Sequence, residues 1–225
     1  MFFLTLYQIQ AQESKSAIGI QGGYVMPGND SGDFSNNGFA GELNFRRSLS
    51  RHLSVVLSSN YERMTAINSN EAWRKLSLNV GPSFRIMDKK IHADVFGLIG
   101  YAMQKSPDMN ANYPDSSVLI RKMPAMDMNA LQGTLGIKFG YAISKRINLY
   151  VKPQFTTGFS DFSYQSRDIS PAINERGGID VEAANSIPFE NQNFRSSNTS
   201  VNVGIDISFA NDWNSTRSNK TSKTS

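Results

Sequence analysis

The sequence predicts an all-β protein, an eight-stranded antiparallel up-and-down transmembrane β-barrel with short turns at one end and long loops at the other. Three observations predict it. Apolar and polar residues alternate through eight segments, the period of a strand with two unlike faces. The connections between those segments alternate between short and long. Glycine concentrates on the polar parity of the strands.

The segments run over Ala17–Met26, Gly38–Arg47, His52–Thr65, Trp73–Met87, Ile91–Gln104, Leu131–Ile143, Ile147–Ser160 and Thr199–Phe209. Most reach the length of about 9–11 residues that a tilted strand needs to cross a bilayer. In the fourth, Leu76, Leu78, Val80, Phe84 and Ile86 oppose Lys75, Ser77, Asn79, Ser83 and Arg85. In the last, Val201, Val203, Ile205, Ile207 and Phe209 oppose Ser200, Asn202, Gly204, Asp206 and Ser208. The fifth is the weakest, because Phe96 and Leu98 share a face with His92 and Asp94.

Alternation alone also fits a soluble antiparallel sandwich. Loop lengths separate the two. Ser48–Arg51, Asp88–Lys90 and Ser144–Arg146 are tight, whereas Pro27–Asn37, Ala66–Ala72, Lys105–Ala130 and Asp161–Asn198 are longer. Short periplasmic turns and long extracellular loops produce this order. Aromatics form two bands on the strands. Phe45, Phe84, Phe139, Tyr141 and Phe209 lie near the tight turns, and Tyr24, Phe39, Tyr61, Tyr101 and Phe155 near the long loops, as interfacial girdles require. Gly19, Gly23, Gly81, Gly100, Gly136, Gly140 and Gly204 sit among larger polar residues, which suits a narrow lumen that needs small beside large.

Composition narrows the function classes. A chain of 225 residues is expected to form one domain. The absence of cysteine removes disulfide scaffolds, thiolate metal sites and cysteine nucleophiles. No apolar run reaches the roughly 18 residues of a helical span. The formal net charge is +4, of which Arg217, Lys220 and Lys223 against Asp212 give +2. No basic cluster interleaves with aromatics, so no nucleic-acid partner is expected. Residues 1–12 read as the end of a secretory signal peptide, with an apolar core and a cleavage region near Ala11–Gln12. Residues 13–209 form the barrel, and the Ser-, Asn-, Thr- and Lys-rich residues 210–225 read as a disordered tail.

The last strand, Asn202-Val203-Gly204-Ile205-Asp206-Ile207-Ser208-Phe209, carries the most specific pattern in the chain. It resembles the terminal signal of the small eight-stranded outer-membrane β-barrels, the porin-like family of outer-membrane protein X and the OmpA transmembrane domain. The resemblance covers roughly residues 17–209. It implies that Asn202, Gly204, Ile207 and Phe209 are read by the barrel-assembly machinery during insertion. It also implies a bacterial outer-membrane location, with outer-membrane lipid and lipopolysaccharide as surroundings. The family signal usually ends the protein; here Ala210–Ser225 follow it.

By parity, Glu42, Arg46, Glu62, Lys75, Arg85, Asp94, Lys138, Lys152 and Asp206 point into the lumen. Facing lipid at the midplane would cost about 2–4 kcal/mol for each Arg or Lys; inside, opposite charges pair. Eight strands enclose a lumen just wide enough to be filled by side chains. The expectation is a polar plug, with a narrow channel for ions or small solutes as the alternative and a soluble lipocalin-like or sandwich binding protein as the third reading.

No catalytic site is expected. His52 and His92 both follow tight turns at the periplasmic end, far from the outer leaflet where a lipid-modifying Ser-His-acid site would sit. No cofactor or metal motif appears. Asp108, Asp115, Asp161, Asp168, Glu175, Asp180, Glu182 and Glu190 lie in or beside the long loops and read as solvated charge. The loops carry Met109, Tyr113, Val118, Leu119, Ile120, Met123, Met126 and Met128, then Phe162, Tyr164, Ile173, Ile187, Phe189 and Phe194. That is more apolar surface than a solvated loop needs. Either the loops pack over the barrel mouth, or their strands continue beyond the membrane and present an edge to a partner. The expected role is structural or interactive: envelope integrity, adhesion, or recognition of an extracellular protein or surface ligand by the loops.

Overall fold

The computed structural model describes residues 15–210 apart from 29–31, 33, 68–70, 89, 114–115, 145 and 175–177. The expected signal segment 1–12, the tail beyond Ala210, and the loop carboxylates Asp115 and Glu175 lie outside the described residues.

Among the described residues, ten strands form one sheet: β1 (Lys15–Pro27), β2 (Ser35–Ser48), β3 (Leu53–Ala66), β4 (Ala72–Asp88), β5 (Ile91–Ser106), β6 (Met109–Asn112), β7 (Leu119–Met123), β8 (Met126–Ala142), β9 (Ile147–Ser166) and β10 (Glu190–Ala210). Eight of them close into a ring in the order β1-β2-β3-β4-β5-β8-β9-β10, every neighbour antiparallel. The ring closes where β1 meets β10, with Gly19 opposite Asp206 and Ile20 opposite Ile205. Closure leaves no free sheet edge among these eight strands at membrane depth, the condition for spanning hydrocarbon with strands.

Two tight turns use one local device. Leu49-Ser50-Arg51-His52-Leu53 and Ile143-Ser144-Lys145-Arg146-Ile147 follow the same formula. The Ser50 hydroxyl accepts from the Leu53 amide at 3.1 Å, and the Ser144 hydroxyl from the Ile147 amide at 3.1 Å. The flanking apolar residues close each turn by backbone bonds, Leu49 N to Leu53 O at 2.9 Å and Ile143 N to Ile147 O at 3.0 Å. A serine side chain thus mimics a turn carbonyl. The third turn, Met87-Asp88-Lys89-Lys90-Ile91, repeats the formula with Asp in place of Ser.

The other end differs from the expectation of four long loops. β8 starts at Met126, β9 runs on to Ser166 and β10 begins at Glu190, so these strands rise well above the expected boundaries. The segment expected as a single loop over Lys105–Ala130 contains a hairpin, β6–β7, and β7 pairs with the top of β9 through Arg121–Ser166 and Lys122–Gln165. The long final connection folds back through a 3-10 turn (Ser170–Ala172) and a short helix α1 (Val181–Ser186), capped by the Asp180 carboxylate on the amides of Glu182 and Ala183. The strands continue because alternation continues: Phe162, Tyr164 and Phe194 keep the inward parity and have each other to pack against.

Burial is inverted relative to a water-soluble protein. Large apolar side chains point outward around the ring, Ile99 being 68% exposed and Leu135 67%, while charged groups lie inside. A soluble monomer keeps contiguous apolar patches to a few hundred Å²; here the girth is apolar. On β4 the band runs from Leu76 to Ile86, about 33 Å along the strand and about 25 Å along the normal at a tilt near 40°. All ten aromatics of the two expected girdles are exposed on this outer face.

Two glycines show how the interior is fitted. A Cβ on Gly136 would lie 2.5 Å from the Phe96 ring, and one on Gly204 would lie 2.7 Å from the Tyr150 ring. Small residues make room for large ones across the narrow lumen. The parity of β5 is resolved in the same way. Phe96 and Leu98 are buried inward with Asp94, and Val95, Ile99 and Tyr101 face out.

Leu135 gives a direct test of the solvent outside. Leu135→Arg at a water-exposed site would change stability by less than about 0.5 kcal/mol. On a lipid face near the midplane it costs about 2–4 kcal/mol. Reversible urea unfolding in phospholipid vesicles is expected to return the larger value.

Candidate functional site

The parity that sends apolar side chains outward places Glu42, Arg46, Glu62, Lys75, Arg85, Asp94, Lys138, Lys152 and Asp206 inside the ring. Arg46 and Arg85 keep 11% and 25% of their side chains exposed; the other seven are buried. These nine form three groups, stacked from the tight-turn end upward.

In the lowest group, Asp94 accepts from Arg85 at 2.8 Å and from Arg46 at 2.9 Å. Arg46 also lies 3.6 Å from Asp206, whose carboxylate takes the Lys138 ammonium. That ammonium sits 3.7 Å from the centre of the Tyr150 ring, and the Tyr150 hydroxyl accepts from Asn44 at 3.3 Å. In the middle group, Lys152 meets Glu42 at 2.6 Å and lies 4.8 Å from the Phe96 ring centre. Gln132 donates to Asn79 at 2.7 Å. In the highest group, Lys75 meets Glu62 at 2.6 Å, and the same carboxylate accepts from Asn60 at 2.7 Å and from Asn198 at 2.9 Å.

Several of these contacts join strands that are not neighbours. Glu42 on β2 reaches Lys152 on β9, Arg46 on β2 reaches Asp94 on β5, and Glu62 on β3 reaches Asn198 on β10. Each is a strut across the lumen. An aqueous pore of the width that many-stranded porins enclose could not be bridged by single side chains. A cavity of about 20 Å³ remains between Arg46, Asp94, Lys138 and Lys152, the space of a water molecule.

Above the struts the interior turns apolar. Phe34, Trp73, Phe162 and Phe194 pack with Val25, Met64, Met109 and Met123 across the mouth. Phe162 stacks on Phe194 at 5.2 Å, Phe194 on Phe34 at 4.6 Å, and Trp73 meets Phe162 edge-on at 5.6 Å. Arg121 of β7 lies over the rings of Phe34 and Tyr164. A second cluster, Val118, Ile169, Ala172 and Ala184, joins the β6–β7 hairpin to α1 and the 3-10 turn. Arg167 ties it together. Its guanidinium donates to the carbonyls of Leu119 and Asn185 and to the Asn185 side chain, and covers the Phe189 ring. The loops therefore pack over the mouth, and their strands also continue above the expected boundaries.

The remaining candidates fall elsewhere. His52 lies at a tight turn, its Nδ1 donating to the Arg85 carbonyl at 3.2 Å. His92 is buried and does not take up Asp94, which both arginines occupy. Asp161 pairs with Arg195, and Asp168 accepts the Ser170 hydroxyl and amide, which hold its carboxyl below the usual carboxylate range. Among the described residues no three of His, Asp or Glu converge as a metal site would need. In the terminal pattern Asn202 is buried in the lumen, Gly204 underlies Tyr150, and Ile207 and Phe209 face out.

Sequence reasoning missed Phe34, Trp73 and Asn198. Trp73, second in β4, has inward parity, a legible signal; Phe34 and Asn198 lay in segments expected to be loop. Glu42→Leu alone is expected to strand the Lys152 charge and cost about 3–5 kcal/mol. The double variant E42L/K152M is expected to recover most of that loss, as read by urea unfolding of the folded barrel.

No protein-family model and no curated protein matches the chain. Solved structures do. Neisserial surface protein A superposes with a TM-score of 0.53 at 8% identity, over 86% of this chain and 97% of that one. A major outer membrane protein from Thermus thermophilus gives 0.54 at 11% identity, over 88% of this chain and 100% of that one. Ail, the attachment invasion locus protein of Yersinia pestis, in complex with the heparin analogue sucrose octasulfate, gives 0.50 at 14% identity, over 88% and 100%. At these identities the likeness is one of fold. With the closed ring and the inverted burial, it identifies the chain's architecture as that of the small eight-stranded outer-membrane β-barrels.

Proposed function

We propose that the protein is an integral outer-membrane barrel with a structural or interactive role, its lumen strutted shut and its recognition surface built on the extracellular cap. One observation carries this reading: buried ion pairs cross the lumen between strands that are not neighbours in the ring, from Glu42 to Lys152 and from Arg46 to Asp94. A barrel meant for general diffusion keeps its walls apart. The apolar plug of Phe34, Trp73, Phe162 and Phe194 over the struts adds a second barrier of different chemistry. What remains for a partner is the outer surface of the cap, where α1, the 3-10 turn and the β6–β7 hairpin present side chains above the membrane.

A catalytic role is not part of this proposal. Both histidines lie at the tight-turn end, one solvated and one packed against Gly140. Expression of the protein in an outer-membrane host is expected to leave the mass spectrum of its lipid A unchanged.

The purified protein is expected to show heat-modifiable migration in detergent gels, as a closed barrel does, and no stable opening in the nanosiemens range in planar bilayers. Large steady conductance steps would overturn the closed-lumen reading and favour a channel. Migration indifferent to heating, with solubility in the absence of detergent, would overturn the barrel reading itself.

A further inference from the structure

We infer that the outer face of β3–β5, just above the apolar band, is a binding site for the phosphate groups of an outer-leaflet lipid. The site deepens the membrane reading above and rests on it. The register places Arg63 directly opposite Arg74, and Arg74 directly opposite Lys105. Three cations thus stand in one cross-strand row, neighbours about 4.8 Å apart along the ladder. All three are exposed on the side that carries Tyr61, Leu76 and Met103 one outward position below. Two residues along a tilted strand is about 5 Å of height, the level at which headgroup phosphates meet the hydrocarbon.

Among the described residues, only Lys105 of the row has an ionic partner. Lys105 meets Asp127 at 3.0 Å, both side chains being largely exposed, and Glu71 at the head of β4 has an interaction of its own. Arg63 and Arg74 have no hydrogen-bonding or ionic partner among the described residues. Like charges opposed across a ladder are unfavourable unless something compensates them. The opposite wall shows the contrast. There Arg195 stands opposite Asp161 and pairs with it at 3.1 Å, and the next outward pair, Ser163 with Asn193, is uncharged. The cationic character belongs to one sector.

Arginine suits this ligand. Its planar fork takes two phosphate oxygens at once, and its stem lies along apolar surface while the charge stays at the interface. Two opposed arginines flanked by a lysine match a phosphorylated saccharolipid, which carries anionic groups on a rigid sugar base with acyl chains below. Leu76, Leu78 and Met103 supply the apolar surface for those chains.

The test uses the full-length protein folded in zwitterionic detergent, titrated with lipid A and with its dephosphorylated form, and read by native mass spectrometry. The wild type is expected to retain lipid A in preference to the dephosphorylated lipid. R63Q/R74Q is expected to weaken lipid A binding on the order of tenfold, towards that of the dephosphorylated form, and to fold at least as stably in detergent, because it relieves an opposed pair. R47Q, at the other end of the same outer surface, is expected to leave binding unchanged, and chelation of divalent ions is expected to leave it intact. Equal binding of the two lipids, or equal lipid A binding by wild type and R63Q/R74Q, would overturn the inference. So would displacement of lipid A by excess inorganic phosphate, which marks a general anion site. Failure of the wild type to give a heat-modifiable barrel would instead overturn the membrane reading, and the two failures are told apart on the same sample.

Discussion

Everything in this structure depends on the absence of hydrogen-bonding partners in hydrocarbon. A strand crossing that layer must find both neighbours within the protein, so the sheet has to close. The β1–β10 ladder is therefore the decisive contact, although its two strands stand at opposite ends of the described chain. Closure with eight strands then sets the bore. A lumen of that width holds side chains and little else, so each large inward residue needs a small one beside it. Gly136 under Phe96 and Gly204 under Tyr150 answer to the bore rather than to any local turn.

The interior charges follow from the same constraint. Removing them from water is costly, and pairing in a low dielectric repays that cost only with good geometry. Asp94 between Arg46 and Arg85, and Glu62 between Lys75, Asn60 and Asn198, have such geometry. What these groups gain for the fold is specificity as much as energy. A one-residue slip of any strand would turn its charges to lipid and its leucines to the lumen. The struts between non-adjacent strands extend that discrimination to the whole ring, because each is satisfied in one closure register only.

Much of this was legible beforehand because a strand's alternation reports directly which way each side chain points. Parity alone put the nine charged residues inside, and it placed the aromatic bands and the glycines. It could not say who meets whom. His92 shares a face with Asp94 two residues away, yet two arginines from β2 and β4 take that carboxylate. Nor could parity find the upper limit of the barrel. The alternation of Phe162 with Tyr164 was visible, but the reason for it, a stack with Phe194 on the neighbouring strand, is tertiary. The β6–β7 hairpin is hidden for the same reason: strands of four and five residues carry little period of their own.

The cap and the barrel are stabilised by separate clusters. Phe34, Trp73, Phe162 and Phe194 belong to the barrel mouth, whereas Val118, Ile169, Ala172 and Ala184 form their own small core above it. The β6–β7 hairpin joins them: Met109 and Met123 pack into the mouth cluster, Val118 into the upper one, and β7 pairs with β9 with Arg121 over the rings of Phe34 and Tyr164. Val118, Ile169, Ala172 and Ala184 themselves lie outside the eight strands of the closed ring. On the proposed reading, substitutions on the outer side of α1 or of the β6–β7 hairpin would change recognition, while those in the apolar band, the struts and the mouth would change folding.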